Sequence, residues 1–252
     1  MKGKTGTLVI KPIPLIYGPM LQAKMLNQWF WESFITDAFY CWYIEGADKR
    51  ILVDAGIGMG HGNDDMFQPK EKLVENLGEG LKKIGLGYKD IDILIETHLD
   101  RDHCEYLHEF THAKIYVQKA ELEVARNPHP MYKTRYYPRE YYDKMKWEVI
   151  EGDHKVVDGV EILFTPGHSP GTQSVAVSTP KGCAVICGMC CLDQNLFPPP
   201  IVQKITGQEV IPTTIVYNAI QDYDSMVRIK KEADIVVTSH ASKWMFQDTI
   251  GA

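Results

Sequence analysis

Asp92-Ile93-Leu94-Ile95-Glu96-Thr97-His98-Leu99-Asp100-Arg101-Asp102-His103 is the stretch that decides how this chain is read. Its apolar start reads as a short buried strand. Four potential metal ligands follow directly: His98, Asp100, Asp102 and His103. Carboxylates and imidazoles at the end of a core strand are costly unless something pairs them, so the cluster reads as a metal site. Side chains two apart on an extended segment share a face. That spacing predicts that His98, Asp100 and Asp102 converge on one point, while His103 turns toward a neighbouring one.

Strand-like runs recur on both sides of this loop, at residues 8–14, 39–44, 50–54, 113–117, 155–157, 160–164, 173–178, 184–187 and 235–238. Helical periodicity is read over 70–84, 120–125 and 213–231. Both halves are strand-rich with outer helices. No repeat, low-complexity segment or linker divides residues 1–252, which predicts one domain. Residues 18–38 hold Met20, Met25, Leu26, Trp29, Phe30, Trp31, Phe34 and Ile35 without clean periodicity. They read either as a loop or short helix over the core, or as a hydrophobic flap over a pocket or a homodimer contact. The glycine-rich loop through Gly62 lacks the spacing of a phosphate-binding loop. Residues 128–147 interleave tyrosines with Arg135, Arg139 and Lys144, and read as a partly exposed helical insert in which Tyr142 could border a pocket.

A net charge of -6 disfavours a nucleic-acid partner. No apolar run is long enough to span a membrane, and Met1-Lys2-Gly3-Lys4 lacks the apolar core of a signal peptide. The six cysteines are not spaced as a disulfide framework. A cytoplasmic location with reduced thiols is the expectation.

Two further histidines follow strands directly, His168 in Thr165-Pro166-Gly167-His168-Ser169-Pro170-Gly171 and His240 in Ser239-His240. Loops at strand ends are where a rigid sheet presents functional groups. The candidate metal ligands are therefore His98, Asp100, Asp102, His103, His168 and His240. Imidazole and carboxylate suit zinc first, with manganese or iron as alternatives, in one or two divalent ions.

These motifs, taken with Ile51-Leu52-Val53-Asp54-Ala55-Gly56 and Ile150-Glu151-Gly152-Asp153 in this order, resemble the metallo-β-lactamase superfamily, and within it the N-acyl homoserine lactonase branch, over residues 36–245. The resemblance implies an α+β fold, an αββα sandwich of two mixed β-sheets flanked by helices. It also implies hydrolysis of a cyclic ester (lactone) or cyclic amide in a small-molecule substrate with an apolar part, by a metal-bound hydroxide. By position, His98 and His168 would serve a first metal, and Asp102, His103 and His240 a second, with Asp102 also catalytic as the proton acceptor. Asp54 is expected to orient a ligand. Three positions depart from the family pattern. Asp100 stands where the family has His, Met189 where an Asp bridges the metals, and Leu192 where lactonases carry a Tyr. Four outcomes stay open: two metals bridged only by hydroxide; one metal on Asp102, His103 and His240; recruitment of Cys190 or Cys191 as thiolate; or a metal-free, non-catalytic binding site. A thioester hydrolase of the glyoxalase II kind is the alternative reaction.

Overall fold

Ile51-Leu52-Val53 and Ile93-Leu94-Ile95 are apolar at every position because both of their faces are covered. In the computed structural model, which describes residues 8–57 and 72–252, Ile51, Val53, Ile93 and Ile95 face a second sheet. Leu52 and Leu94 face outward, into helices that supply Leu77, Leu81, Leu107 and Phe110.

The first sheet contains β1 (Val9–Leu21), β2 (Phe34–Glu45), β3 (Ile51–Val53), β4 (Lys72–Leu73), β5 (Ile93–Ile95), β6 (Lys114–Gln118) and β7 (Trp147–Ile150). Their spatial order is β4-β1-β2-β3-β5-β6-β7. The pairs β4-β1, β1-β2 and β2-β3 are antiparallel, and β3-β5, β5-β6 and β6-β7 are parallel. The second sheet contains β8 (His154–Val157), β9 (Val160–Phe164), β10 (Gln173–Thr179), β11 (Gly182–Ile186) and β12 (Ile235–Val237), in the order β12-β11-β10-β9-β8. Only its β11-β12 pair is parallel. Two mixed sheets thus face each other over one apolar layer, with helices outside both. The outer face of the second sheet buries Leu163 and Val185 against Met226 and Ile229 of the helix Ala219–Glu232. No helix among the described residues is long and apolar enough to cross a membrane.

The parallel strands β3, β5 and β6 end on one edge, and the loops that leave this edge carry Asp54 and the 97–103 ligands. There the two sheets are stitched together by Gln173. Its backbone N–H donates to Thr97 O at 2.9 Å and its side chain donates to Glu96 O at 2.7 Å. Gly188 passes so close that an added Cβ would meet Gln173 O at 1.9 Å.

Several elements differ from the sequence expectation. Residues 18–38 contain a short helix over the core, Gln22–Met25, and a turn, as one reading of the sequence allows, but their two ends are strand. β1 and β2 continue as one antiparallel ladder out to Leu21↔Phe34, tipped by the helix Gln22–Met25. The alternation was hidden because the register shifts between Pro14 and Ile16. Prolines also argue against a continuous strand. Met25 and Leu26 are fully buried against Leu192, Val202 and Ile211, whereas Trp31 and Phe34 are exposed. The helix expected over 70–84 spans only Leu77–Lys83. Asn76 starts it with a reciprocal cap, accepting from Glu79 N–H at 2.9 Å while Glu79 accepts from Asn76 N–H at 3.3 Å. The helix expected at 213–231 is Ala219–Glu232, with Asn218 as its cap. The glycine-rich loop through Gly62 falls mainly outside the described residues.

Gly188→Ala should cost about 3 kcal/mol, since backbone oxygen cannot yield to a methyl group. Gly207→Ala, which has a positive φ but no atom within 4 Å of the added carbon, should cost only about 1 kcal/mol. Urea denaturation of the two variants measures the difference.

Candidate metal centre

The chain bends at Thr97 after β5, is extended at Asp100 and turns helical at Arg101 (helix Arg101–Cys104). This turn removes Asp102 from the two-residue alternation. The expectation that His98, Asp100 and Asp102 meet at one point is therefore corrected. His98, Asp100 and His168 form one group whose ligand atoms lie within 4.8 Å of one another, and Asp102, His103 and His240 form a second group of the same size. All six candidates are gathered here. The groups adjoin: the His98 and His103 rings are 4.1 Å apart and the His103 and His240 rings 5.8 Å.

Local hydrogen bonds fix His103, Asp100 and His168. Asp54, at φ 64° after β3, accepts from Thr97 N–H at 2.8 Å and from His103 Nδ1 at 2.8 Å. That second bond turns His103 Nε2 toward the site, where it is buried with no hydrogen-bond partner among the described residues. Burial opposes charge on His103, but Asp54 and Asp102 outweigh it and push its pKa up to about 9. His240 Nε2 is likewise buried with no hydrogen-bond partner among the described residues, while Nδ1 lies 3.0 Å from Asp37 Oδ1. Asp102 is the accessible member, its side chain 33% exposed.

The first group is satisfied internally. His168 Nδ1 donates to Ile215 O at 2.6 Å, which leaves its Nε2 as an acceptor. Arg135 Nη2 donates to that Nε2 at 2.9 Å and sits 2.6 Å from Asp100 Oδ2. Arg135 Nε reaches the same carboxylate at 2.8 and 3.0 Å. The guanidinium carbon also lies 5.7 and 5.4 Å from the stacked rings of Tyr132 and Tyr217. Burial would raise the pKa of Asp100, but His168 and Arg135 outweigh it and hold it low. Burial and the neighbouring His103, His168 and Arg135 keep His98 well below the usual imidazole range.

The sequence reads Arg135 as part of a partly exposed helical insert. That part of the insert is the 3-10 helix Pro130–Arg135, partly exposed as expected, from which this one side chain turns inward. Tyr142, read as bordering a pocket, is buried, and its Oη donates to Leu99 O at 3.1 Å. Asp37 also went unread, although a lone acid within the apolar run of β2 was an available signal. Met189 is fully buried with Leu163, Val185 and Met226 on the outer side of the second sheet. Cys190 packs on Met25, with Sγ and Sδ 3.7 Å apart. Burial and the charges of Asp37 and Asp102 push the Cys190 thiol well up. All six cysteines are free thiols.

Glu121 binds the two ligand loops together. One oxygen accepts from Leu99 N–H at 2.9 Å, and the other from Gly171 N–H at 3.1 Å and from Ser169 Oγ. A cavity of about 250 Å³ begins one residue beyond His240, bounded by Ile35, Thr36, Leu192 and Ala241.

A family model described as the metallo-beta-lactamase superfamily matches residues 38–240. An N-acyl homoserine lactonase of Bacillus cereus is 32% identical over 158 residues, 58% of this chain and 61% of that relative. The chain thus aligns with about three-fifths of that protein. The crystal structure of a quorum-quenching N-acyl homoserine lactone hydrolase superposes with a TM-score of 0.75 at 25% identity, covering 96% of this chain and 95% of that one. Another N-acyl homoserine lactone hydrolase, with N-hexanoyl-L-homoserine bound at its catalytic metal center, gives 0.75 at 22% identity over 97% and 100%.

Glu121→Ala leaves Leu99 N–H, Gly171 N–H and the Ser169 hydroxyl without their acceptor and should cost about 2–4 kcal/mol. Glu123→Ala, on the exposed side of the same helix, should stay within about 0.5 kcal/mol. Urea denaturation compares the pair.

Proposed function

Because the chain belongs to the metallo-β-lactamase superfamily, we propose that it is a metal-dependent hydrolase that opens a cyclic ester or cyclic amide, with Asp102, His103 and His240 as metal ligands. One observation carries this reading. His103 Nε2 and His240 Nε2 are buried, have no hydrogen-bond partner among the described residues and are gathered beside the Asp102 carboxylate. Buried polar atoms are rarely left without a partner, and one carboxylate with two imidazoles is a donor set that zinc, manganese or iron accepts. Zinc is the first candidate.

The chemistry a divalent ion supplies in such a place is an acidified water nucleophile near neutral pH and a polarised carbonyl. The protein's own residues do the rest. Asp54 holds His103 in one tautomer by accepting from Nδ1, so that Nε2 presents its lone pair. Asp102, one-third exposed, reaches from the buried histidines toward solvent. It is placed to take a proton from the nucleophile and return it to the leaving oxygen or nitrogen. The buried surroundings strengthen each of these electrostatic contacts.

The substrate class rests on the relatives. The curated relative is named for its action on N-acyl homoserine lactones, and the second solved structure holds N-hexanoyl-L-homoserine at its metal center. A lactone with an apolar tail is accordingly the substrate proposed for this chain. Leu192 has no hydroxyl, so it offers no hydrogen bond to a developing negative oxygen.

Dialysis against a chelator should abolish opening of an N-acyl lactone, followed by proton release in a weakly buffered indicator assay, and zinc, manganese or iron should restore it. Asp102→Ala should lower kcat by at least about 100-fold; unchanged turnover would overturn its role. Asp54→Asn should weaken metal binding about 10- to 100-fold in a chelator competition, with the fold retained by circular dichroism.

A further inference from the structure

The geometry points to Arg135 as a built-in replacement for one of two cations, so that the chain carries a single divalent ion, on Asp102, His103 and His240. This inference rests on the metal-dependent reading above and specifies its site.

His168 has one nitrogen able to accept, because Nδ1 is committed as a donor to Ile215 O. That nitrogen, Nε2, already takes the Arg135 N–H at 2.9 Å. Asp100 has both oxygens on the same guanidinium, at 2.6 to 3.0 Å. A metal would need those same lone pairs at about 2.0–2.2 Å, and would have to displace Arg135 to reach them. Displacement is opposed from several sides. The side chain is only 13% exposed, and it is held by Asp100, His168 and the Tyr132 and Tyr217 rings. A divalent ion lodged beside it would also meet a fixed positive charge. Arg135 balances the charge of Asp100, whereas among the described residues no arginine or lysine pairs with the second group, whose His103 and His240 Nε2 atoms have no hydrogen-bond partner there.

The inference explains two departures together. An imidazole at position 100 cannot receive the paired N–H groups of a guanidinium, and a carboxylate can. Asp100 and Arg135 therefore belong together as a pair. A carboxylate bridging two ions has no task where there is one ion, and Met189 instead fills the apolar layer between the second sheet and its outer helix.

The test is a metal count. Full-length protein is stripped with chelator, reloaded with excess zinc, desalted and measured by inductively coupled plasma mass spectrometry. One zinc per chain is expected, rising to two in Arg135→Ala. In wild type that zinc should be lost in His240→Ala and kept in His168→Ala. Two zinc ions in the wild-type chain would overturn the inference and leave the hydrolase reading standing; none would overturn both. Loss in His168→Ala with retention in His240→Ala, or Arg135→Ala remaining at one, would also overturn it. Because a variant can fail to fold, wild-type protein reloaded with manganese(II) gives a second readout. The electron paramagnetic resonance spectrum of an isolated ion supports the inference, and that of an exchange-coupled pair overturns it.

Discussion

A buried carboxylate has to be neutralised where it lies, and the rest of the site follows from how that is done. Asp54, Glu96, Asp100 and Glu121 are all buried near the edge where β3 and β5 end. Each meets the requirement differently. Asp54 is met by the donors of Thr97 and His103, and Asp100 by a guanidinium. Glu121 takes two backbone N–H groups and a hydroxyl. Burial and the charge of Asp54 drive the Glu96 carboxyl well up. The loops cannot rearrange without leaving one of these groups uncompensated, and that fixes the histidines more firmly than the loop backbone alone would.

Much of this was legible in the amino-acid sequence, for a definite reason. His98, Asp102, His103, His168 and His240 stand directly after apolar strands, and a sheet edge is a place that local patterning reveals. Their division into two groups was less visible, because it depends on the helix beginning at Arg101 rather than one residue later. Arg135 was illegible. It lies 35 residues from Asp100 among tyrosines and charges that resemble a solvated face, and only tertiary packing turns it inward. Residues 18–38 hid a continuous hairpin for another reason: Pro12, Pro14 and Pro19 speak against a strand, and the register shift at Pro14 breaks the alternation.

The cysteine-rich segment after β11 shows how neighbouring residues divide their work. Met189 and Cys191 pack outward with Leu163 and Val185, while Cys190 packs on the other side with Met25, Leu26 and Leu192. Ser239 ties the segment to the His240 loop: its hydroxyl donates to Met189 O at 2.6 Å and accepts from Cys191 N–H at 3.2 Å. The tip of the β1-β2 hairpin and the His240 loop therefore rest on opposite sides of one short stretch of chain.

The pairing of Arg135 with Asp100 and His168 has a further consequence, one of supply. A positive charge written into the polypeptide arrives with every copy of the chain at synthesis. It cannot be lost to dilution or a competing ligand, or exchanged for the wrong element when the surroundings change composition. A site that draws half its cationic character from its own sequence needs less from its environment to be complete. It also surrenders the freedom to tune that half by choice of metal.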